Sequence, residues 1–100
     1  MNATLWHVYL LECDGRAIYT GITTDVTRRV AEHASGGKRA ARFTRGRARV
    51  RLLYATEIGA RGLAMRAEHR LRHLPRATKL QIAAAAPDAQ ESLGRLGLVA

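Results

Sequence analysis

The stretch Trp6-His7-Val8-Tyr9-Leu10-Leu11-Glu12-Cys13, interrupted by Asp14-Gly15-Arg16 and resumed by Ala17-Ile18-Tyr19-Thr20-Gly21-Ile22, decides the architecture. Both halves are short and rich in β-branched and aromatic residues, and an Asp-Gly turn signal separates them, so they read as a β-hairpin. The turn fixes which side chains share a face. A two-residue Asp14-Gly15 turn pairs Leu10 with Tyr19 and sends Tyr9 and Tyr19 to opposite faces. A three-residue Asp14-Gly15-Arg16 loop pairs Leu11 with Tyr19 and puts both tyrosines together. The three-residue loop, or a bulge of equal effect, is the expectation, because a site shared by the two phenols requires it.

Outward from the hairpin, Thr23 or Thr24 is expected to cap a helix with Asp25 in its first turn, running to about Ala34 before Gly36-Gly37 stops it. On this helix Ile22, Val26, Arg29, Val30 and His33 fall on one side by i, i+3, i+4 spacing, so Arg29 and His33 lie on or beside the buried stripe. Residues 38 to about 47 lack a clean period and read as a loop. A third strand follows from Val50 to about Ile58, ended by Gly59. From Ala60 a helical stripe of Leu63, Ala67, Leu71 and Leu74 runs to Pro75, and a further helix covers roughly Arg76 to Ala86. The order β-β-α-β-α-α predicts an α/β fold: a small three-stranded, mainly antiparallel sheet flanked by helices. One domain over residues 1–86 is expected, with a tail over 87–100 that is a short packing helix on Leu93, Leu96 and Leu98 or is frayed.

At 100 residues, 47% hydrophobic and 25% charged, the chain fits one compact domain with a modest core. The lone Cys13 excludes an internal disulfide and multi-cysteine zinc sites, and no apolar run approaches the ~20 residues of a membrane span. A cytoplasmic protein without a membrane partner is the default expectation. The net charge of +9 points to a polyanion, and its distribution is more telling than its size. No acid occurs between Glu32 and Glu57, where Lys38, Arg39, Arg42, Arg45 and Arg47 cluster around Phe43, followed by Arg49 and Arg51. Such a segment suits phosphates and a stacked base, so Lys38, Arg39, Arg42, Arg45 and Arg47 are the candidate nucleic-acid contacts.

The remaining polar residues gain meaning from their order. Tyr9 after His7-Val8, Tyr19-Thr20-Gly21, Arg29 eight residues beyond that glycine, His33 one turn further and Glu68 on a later helix form an ordered set over roughly residues 5 to 86. This set resembles the GIY-YIG nuclease superfamily, in its small stand-alone bacterial branch. His7 stands where the family name has its first Gly, and Thr20 replaces the Ile of the second triplet. The resemblance implies a GIY-YIG-like fold and a metal-dependent endonuclease that hydrolyses nucleic-acid phosphodiester bonds, structure- rather than sequence-selective, with DNA favoured over RNA. It also implies roles: Tyr9 as general base or relay for the attacking water, Tyr19 lining the site, Arg29 holding the scissile phosphate, His33 assisting by hydrogen bonding, and Glu68 binding one Mg²⁺ or Mn²⁺ ion. The chemistry asks for these parts, since phosphodiester hydrolysis needs an activated water, a Lewis acid and a fixed cation. Alternatives are a noncatalytic nucleic-acid-binding module on the same fold, and an adaptor whose basic segment meets an acidic protein. Lys79 stands near the last segment of the pattern without an assigned part. His69 and His73, one turn apart, lack the HExxH context of a zinc site and read as solvated.

Overall fold

The computed structural model describes residues 4–35 and 49–98. Strand β1 (Trp6–Cys13) lies between β2 (Ala17–Thr23) and β3 (Val50–Gly59), antiparallel to both. Helix α1 (Val26–Ser35) follows β2, and α2 (Arg61–Arg72), α3 (Arg76–Ala85) and α4 (Ala89–Arg95) follow β3. The expected class and element order hold, with α4 added at the end.

The central strand is covered on both sides, which explains its unbroken run of buried residues: Val8, Tyr9, Leu10 and Leu11 are each at most 1% exposed. Alternation divides them. Val8 and Leu10 enter the main core with Tyr54 and Ile58 of β3, Ala67 and Leu71 of α2, Ile82 of α3 and Leu93 of α4. Tyr9, Leu11 and Cys13 point the other way and pack with Tyr19, Val30, Val50 and Ala55. Ile22, grouped by spacing with the α1 stripe, belongs to the first face instead, because it pairs directly across from Val8.

One local detail differs from the sequence reading, and one open alternative is decided. Asp25 caps α1 rather than sitting inside its first turn: its Oδ1 accepts the Arg28 amide at 3.1 Å, while Thr23 Oγ1 accepts the Asp25 amide at 3.1 Å. A carboxylate that takes the N3 amide and faces the positive end of the dipole outcompetes a threonine further back. The last segment is a packed helix. Asp88 caps it through the Glu91 amide at 2.9 Å, and its end closes with Leu98 N–H donating to Leu93 O and Gly97 N–H to Gly94 O, Gly97 adopting φ 73°. Tyr54 Oη fastens this helix to β3 by donating to Pro87 O at 2.5 Å, with Ser92 Oγ 2.6 Å away.

Candidate active site

The hairpin register settles the position of the tyrosines. Leu11 pairs with Tyr19, Tyr9 with Gly21 and Cys13 with Ala17, leaving Asp14, Gly15 and Arg16 as a three-residue loop. Asp14 and Gly15 both take positive φ, 54° and 68°, and Arg16 N–H closes the turn on Cys13 O at 3.1 Å. Tyr9 and Tyr19 therefore share one face, with ring centroids 6.2 Å apart.

Helix α1 covers that face. His33, fully buried, places its Nε2 2.8 Å from Tyr9 Oη, and its ring centroid lies 5.1 Å from that of Tyr19. Arg29, one turn earlier, stands close enough to the Tyr9 hydroxyl to favour its anion, and Nη1 pairs with Glu32 Oε1 at 2.9 Å. Four of the five expected catalytic residues, Tyr9, Tyr19, Arg29 and His33, thus converge from two strands and one helix. Sequence spacing alone left Arg29 and His33 either on or merely beside the buried stripe, and for His33 this is decided by its burial.

Burial governs the protonation of this cluster. Desolvation, reinforced by the neighbouring Tyr19, pushes the Tyr9 phenol up to about 12 against the pull of Arg29. His33 is lowered to about 4, first by desolvation and then by the Arg29 charge, which outweigh Glu32. Desolvation also opposes the charge on Arg29, yet Glu32 and Tyr9 together hold it above its ordinary value. Near neutrality the inner pair is a neutral phenol beside a neutral imidazole. In the Nδ1–H tautomer of the imidazole, Tyr9 O–H donates to Nε2.

Gly21 makes room for this arrangement. A Cβ there would lie 2.5 Å from Tyr9 Cζ, closer still to the Tyr9 hydroxyl, and 2.9 Å from Cε2 of Tyr19. The phenol of Tyr9 lies across the backbone of its cross-strand partner, so any side chain at position 21 displaces it. Gly21 is a site residue that periodicity did not single out; its signal was a glycine inside a strand pattern opposite a tyrosine.

Glu68 reaches the region by a different route. It sits on α2 with Ala64, Ala67 and Leu71 buried beside it, and it lines a pocket of about 280 Å³ with Ile18, Tyr19, Thr20 and Arg72 at the β2 edge. Tyr19 is the residue common to this pocket and to the Tyr9–His33 cluster. The Glu68 side chain is 20% exposed and, among the described residues, is held by Arg72 Nε at 3.5 Å, so its oxygens retain acceptor capacity. No group of three or more His, Cys, Asp or Glu occurs among the described residues. One carboxylate at a roomy pocket fits a hard divalent ion that keeps most of its waters, and does not fit a dedicated protein cage. His69 and His73 stack 4.5 Å apart on the exposed side of α2, where His73 Nδ1–H donates to His69 O. The expected nucleic-acid contacts Lys38, Arg39, Arg42, Arg45 and Arg47, with Phe43, lie outside the described residues.

Comparison with known proteins identifies the family. The GIY-YIG catalytic domain model matches residues 5–81. A UPF0213 protein of Cupriavidus necator is 44% identical over 82 residues, covering 82% of this chain and 87% of that protein. One from the archaeon Halobacterium salinarum is 48% identical over 73 residues, covering 73% and 92%. The solution NMR structure of a UPF0213 protein from Bacillus halodurans superposes with a TM-score of 0.52 at 38% identity, covering 95% of this chain and 99% of that one. The names of these relatives state no activity, but the match spans the hairpin, both tyrosines, α1 and Glu68: the chain belongs to the GIY-YIG family.

Proposed function

We propose that this protein is a metal-dependent endonuclease that hydrolyses phosphodiester bonds of nucleic acid, selecting substrate by structure rather than by long sequence. The observation that carries the reading is the Tyr9 Oη–His33 Nε2 hydrogen bond of 2.8 Å beside Arg29, a proton-relay pair next to a fixed cation. A neutral phenol cannot take a proton unless it gives one up. His33, neutral above about pH 4, is the acceptor behind it. As water attacks phosphorus, its proton passes to the Tyr9 oxygen while the Tyr9 proton moves to His33 Nε2. The P–O ester bond breaks, and the departing oxygen is protonated from solvent. Arg29 exchanges Glu32 for a phosphate oxygen and stabilises the charge that builds in the transition state. A Mg²⁺ or Mn²⁺ ion held by Glu68 would supply Lewis-acid neutralisation at the phosphoryl oxygens. Tyr19, between relay and pocket, lines the path that joins them.

A second reading, a noncatalytic nucleic-acid-binding module, draws on the burial of Tyr9, which is 1% exposed. Glu68→Gln separates the two. It keeps side-chain volume and removes the anionic ligand, so cleavage across a panel of flaps, branches, nicks and single strands with Mg²⁺ or Mn²⁺ should collapse while binding persists. Arg29→Ala should lose both cleavage, by ~10²-fold or more, and part of the affinity. Parent protein that binds but cleaves nothing in the panel supports the module.

A further inference from the structure

Several acidic residues of the chain act away from the Tyr9–His33 cluster. Asp25 and Asp88 cap helices, and Glu12 and Glu91 pair with the exposed Arg51 and Arg95 at 3.0 and 2.9 Å. Glu32 is different, because its partner belongs to the cluster. On α1 it stands three residues after Arg29 and next to His33, which is itself one turn beyond Arg29, so one guanidinium is within reach of both. Glu32 Oε1 accepts from Arg29 Nη1 at 2.9 Å, and the two side chains are only 19% and 24% exposed. The acceptor of the relay therefore sits beside a pair of opposite charges. Arg29 disfavours a proton on the His33 imidazole and Glu32 favours one, with burial ahead of both. Among the described residues, the Tyr9 phenol from β1 and the Tyr19 ring from β2 also face His33, while β3 brings the apolar Val50 and Ala55 to this side of the sheet. Burial is fixed by the fold, so the balance between Arg29 and Glu32 is the part that a ligand can alter.

We infer that Glu32 is a phosphate-displaced latch: its carboxylate holds Arg29 in the free protein, and an incoming phosphodiester takes the guanidinium and leaves the carboxylate on α1 beside His33. The inference rests on the nuclease reading for the identity of the ligand, and adds to that reading a control on the site. Carboxylate and phosphate bind a guanidinium through the same charge-assisted geometry, so one can replace the other like for like. Opening the pair shifts both influences on His33 in one direction. The bound phosphate neutralises Arg29 and the Glu32 charge loses its partner, so the imidazole gains proton affinity at the moment it must accept the Tyr9 proton. Glu32 itself touches none of the reacting atoms. It is a positioning residue that keeps the relay weak until a phosphate is in place.

The test uses the full chain in EDTA, so that binding is read without cleavage, and a fluorescent oligothymidylate, whose bases stay uncharged in acid. Glu32→Gln keeps the volume of the side chain and frees Arg29. Glu91→Gln removes the same unit of charge from α4 and serves as the control for net charge. At low salt and near neutral pH, Glu32→Gln should bind about two- to fivefold more tightly than Glu91→Gln, the range that a part-exposed ion pair is worth. The second reading is the pKa of His33, followed by NMR of its ring nitrogens with and without the oligonucleotide. Binding should raise it from about 4 in the parent, and raise it less in Glu32→Gln, where no carboxylate is released. Equal affinities of the two glutamine variants, or equal His33 shifts in parent and Glu32→Gln, overturn the latch even if the parent cleaves normally. So does a parent that binds no oligonucleotide. The predicted affinities and shifts in a parent that never cleaves with any divalent ion keep the latch and remove the nuclease reading.

Discussion

The two faces of β1 are built to opposite specifications from alternate residues of one strand. Val8 and Leu10 enter a large apolar core closed by α2, α3 and α4, whereas Tyr9, the residue between them, enters a small polar cluster under α1 with Tyr19, Arg29 and His33. The first face holds the fold and the second spends stability. It buries a histidine in its neutral form and a phenol whose ionisation is suppressed, and it requires a glycine so that the two aromatic groups can meet. The difference teaches that a continuous apolar-looking run on a central strand can carry both the scaffold and a buried polar cluster, separated only by the pleat.

Mutations on the apolar face should have the largest effect on stability. Leu71→Ala, at a residue 1% exposed in the main core, should cost about 2–5 kcal/mol in denaturant unfolding. A cost below about 1 kcal/mol would mean that α2 is not the principal cover of that face. Gly21→Ala acts on the other face. It drives a methyl into Tyr9 and Tyr19, so about 1–3 kcal/mol should be lost as the phenol shifts, and the Tyr9 hydroxyl resonance should lose its coupling to His33. Intact Tyr9–His33 coupling in the alanine variant would show that the backbone yields instead.

The hairpin, the sheet and the positions of Tyr9, Tyr19 and His33 were legible in sequence because turn length fixes strand register, and helical spacing carries Arg29 and His33 together. The α1 cap was misplaced because Thr23, Thr24 and Asp25 are all competent caps, and only the actual exit of β2, which runs through Thr23, selects Asp25. Gly21 and Thr20 were named with the motif but given no part of their own for a related reason: their importance lies in what faces them across strands and helices, which no local pattern records. The packing of α4 depended on Tyr54, a strand residue whose hydroxyl partners come from more than thirty positions later in the chain.

Acid sharpens the comparison further. His33 has a folded pKa of about 4 against an ordinary 6.5, so the unfolded chain binds the proton more readily. Stability from this residue is complete above about pH 6.5, falls as pH drops towards 4, and levels off below. Thermal melts should show that slope in the parent and a shallower one in His33→Gln; identical slopes would mean that His33 is solvated. The smallest effect concerns Thr20, 5% exposed, whose Oγ1 has no hydrogen-bond partner among the described residues. Thr20→Val preserves the branch and removes the orphan hydroxyl, so stability should rise by about 1 kcal/mol. A loss of that size would show that the hydroxyl has a partner in solution.

The central claim is that the polar face performs hydrolysis through Tyr9, and single-turnover cleavage of a branched DNA with saturating Mn²⁺ by parent and Tyr9→Phe tests it most directly. Phenylalanine fills the same space under α1 but removes the hydroxyl bonded to His33, so the fold should survive with a small loss of stability. The expected result is a parent that cleaves and a Tyr9→Phe protein that binds the same DNA equally well and cleaves it ~10²- to 10⁴-fold more slowly. A folded Tyr9→Phe protein that cleaves at the parent rate would contradict the account.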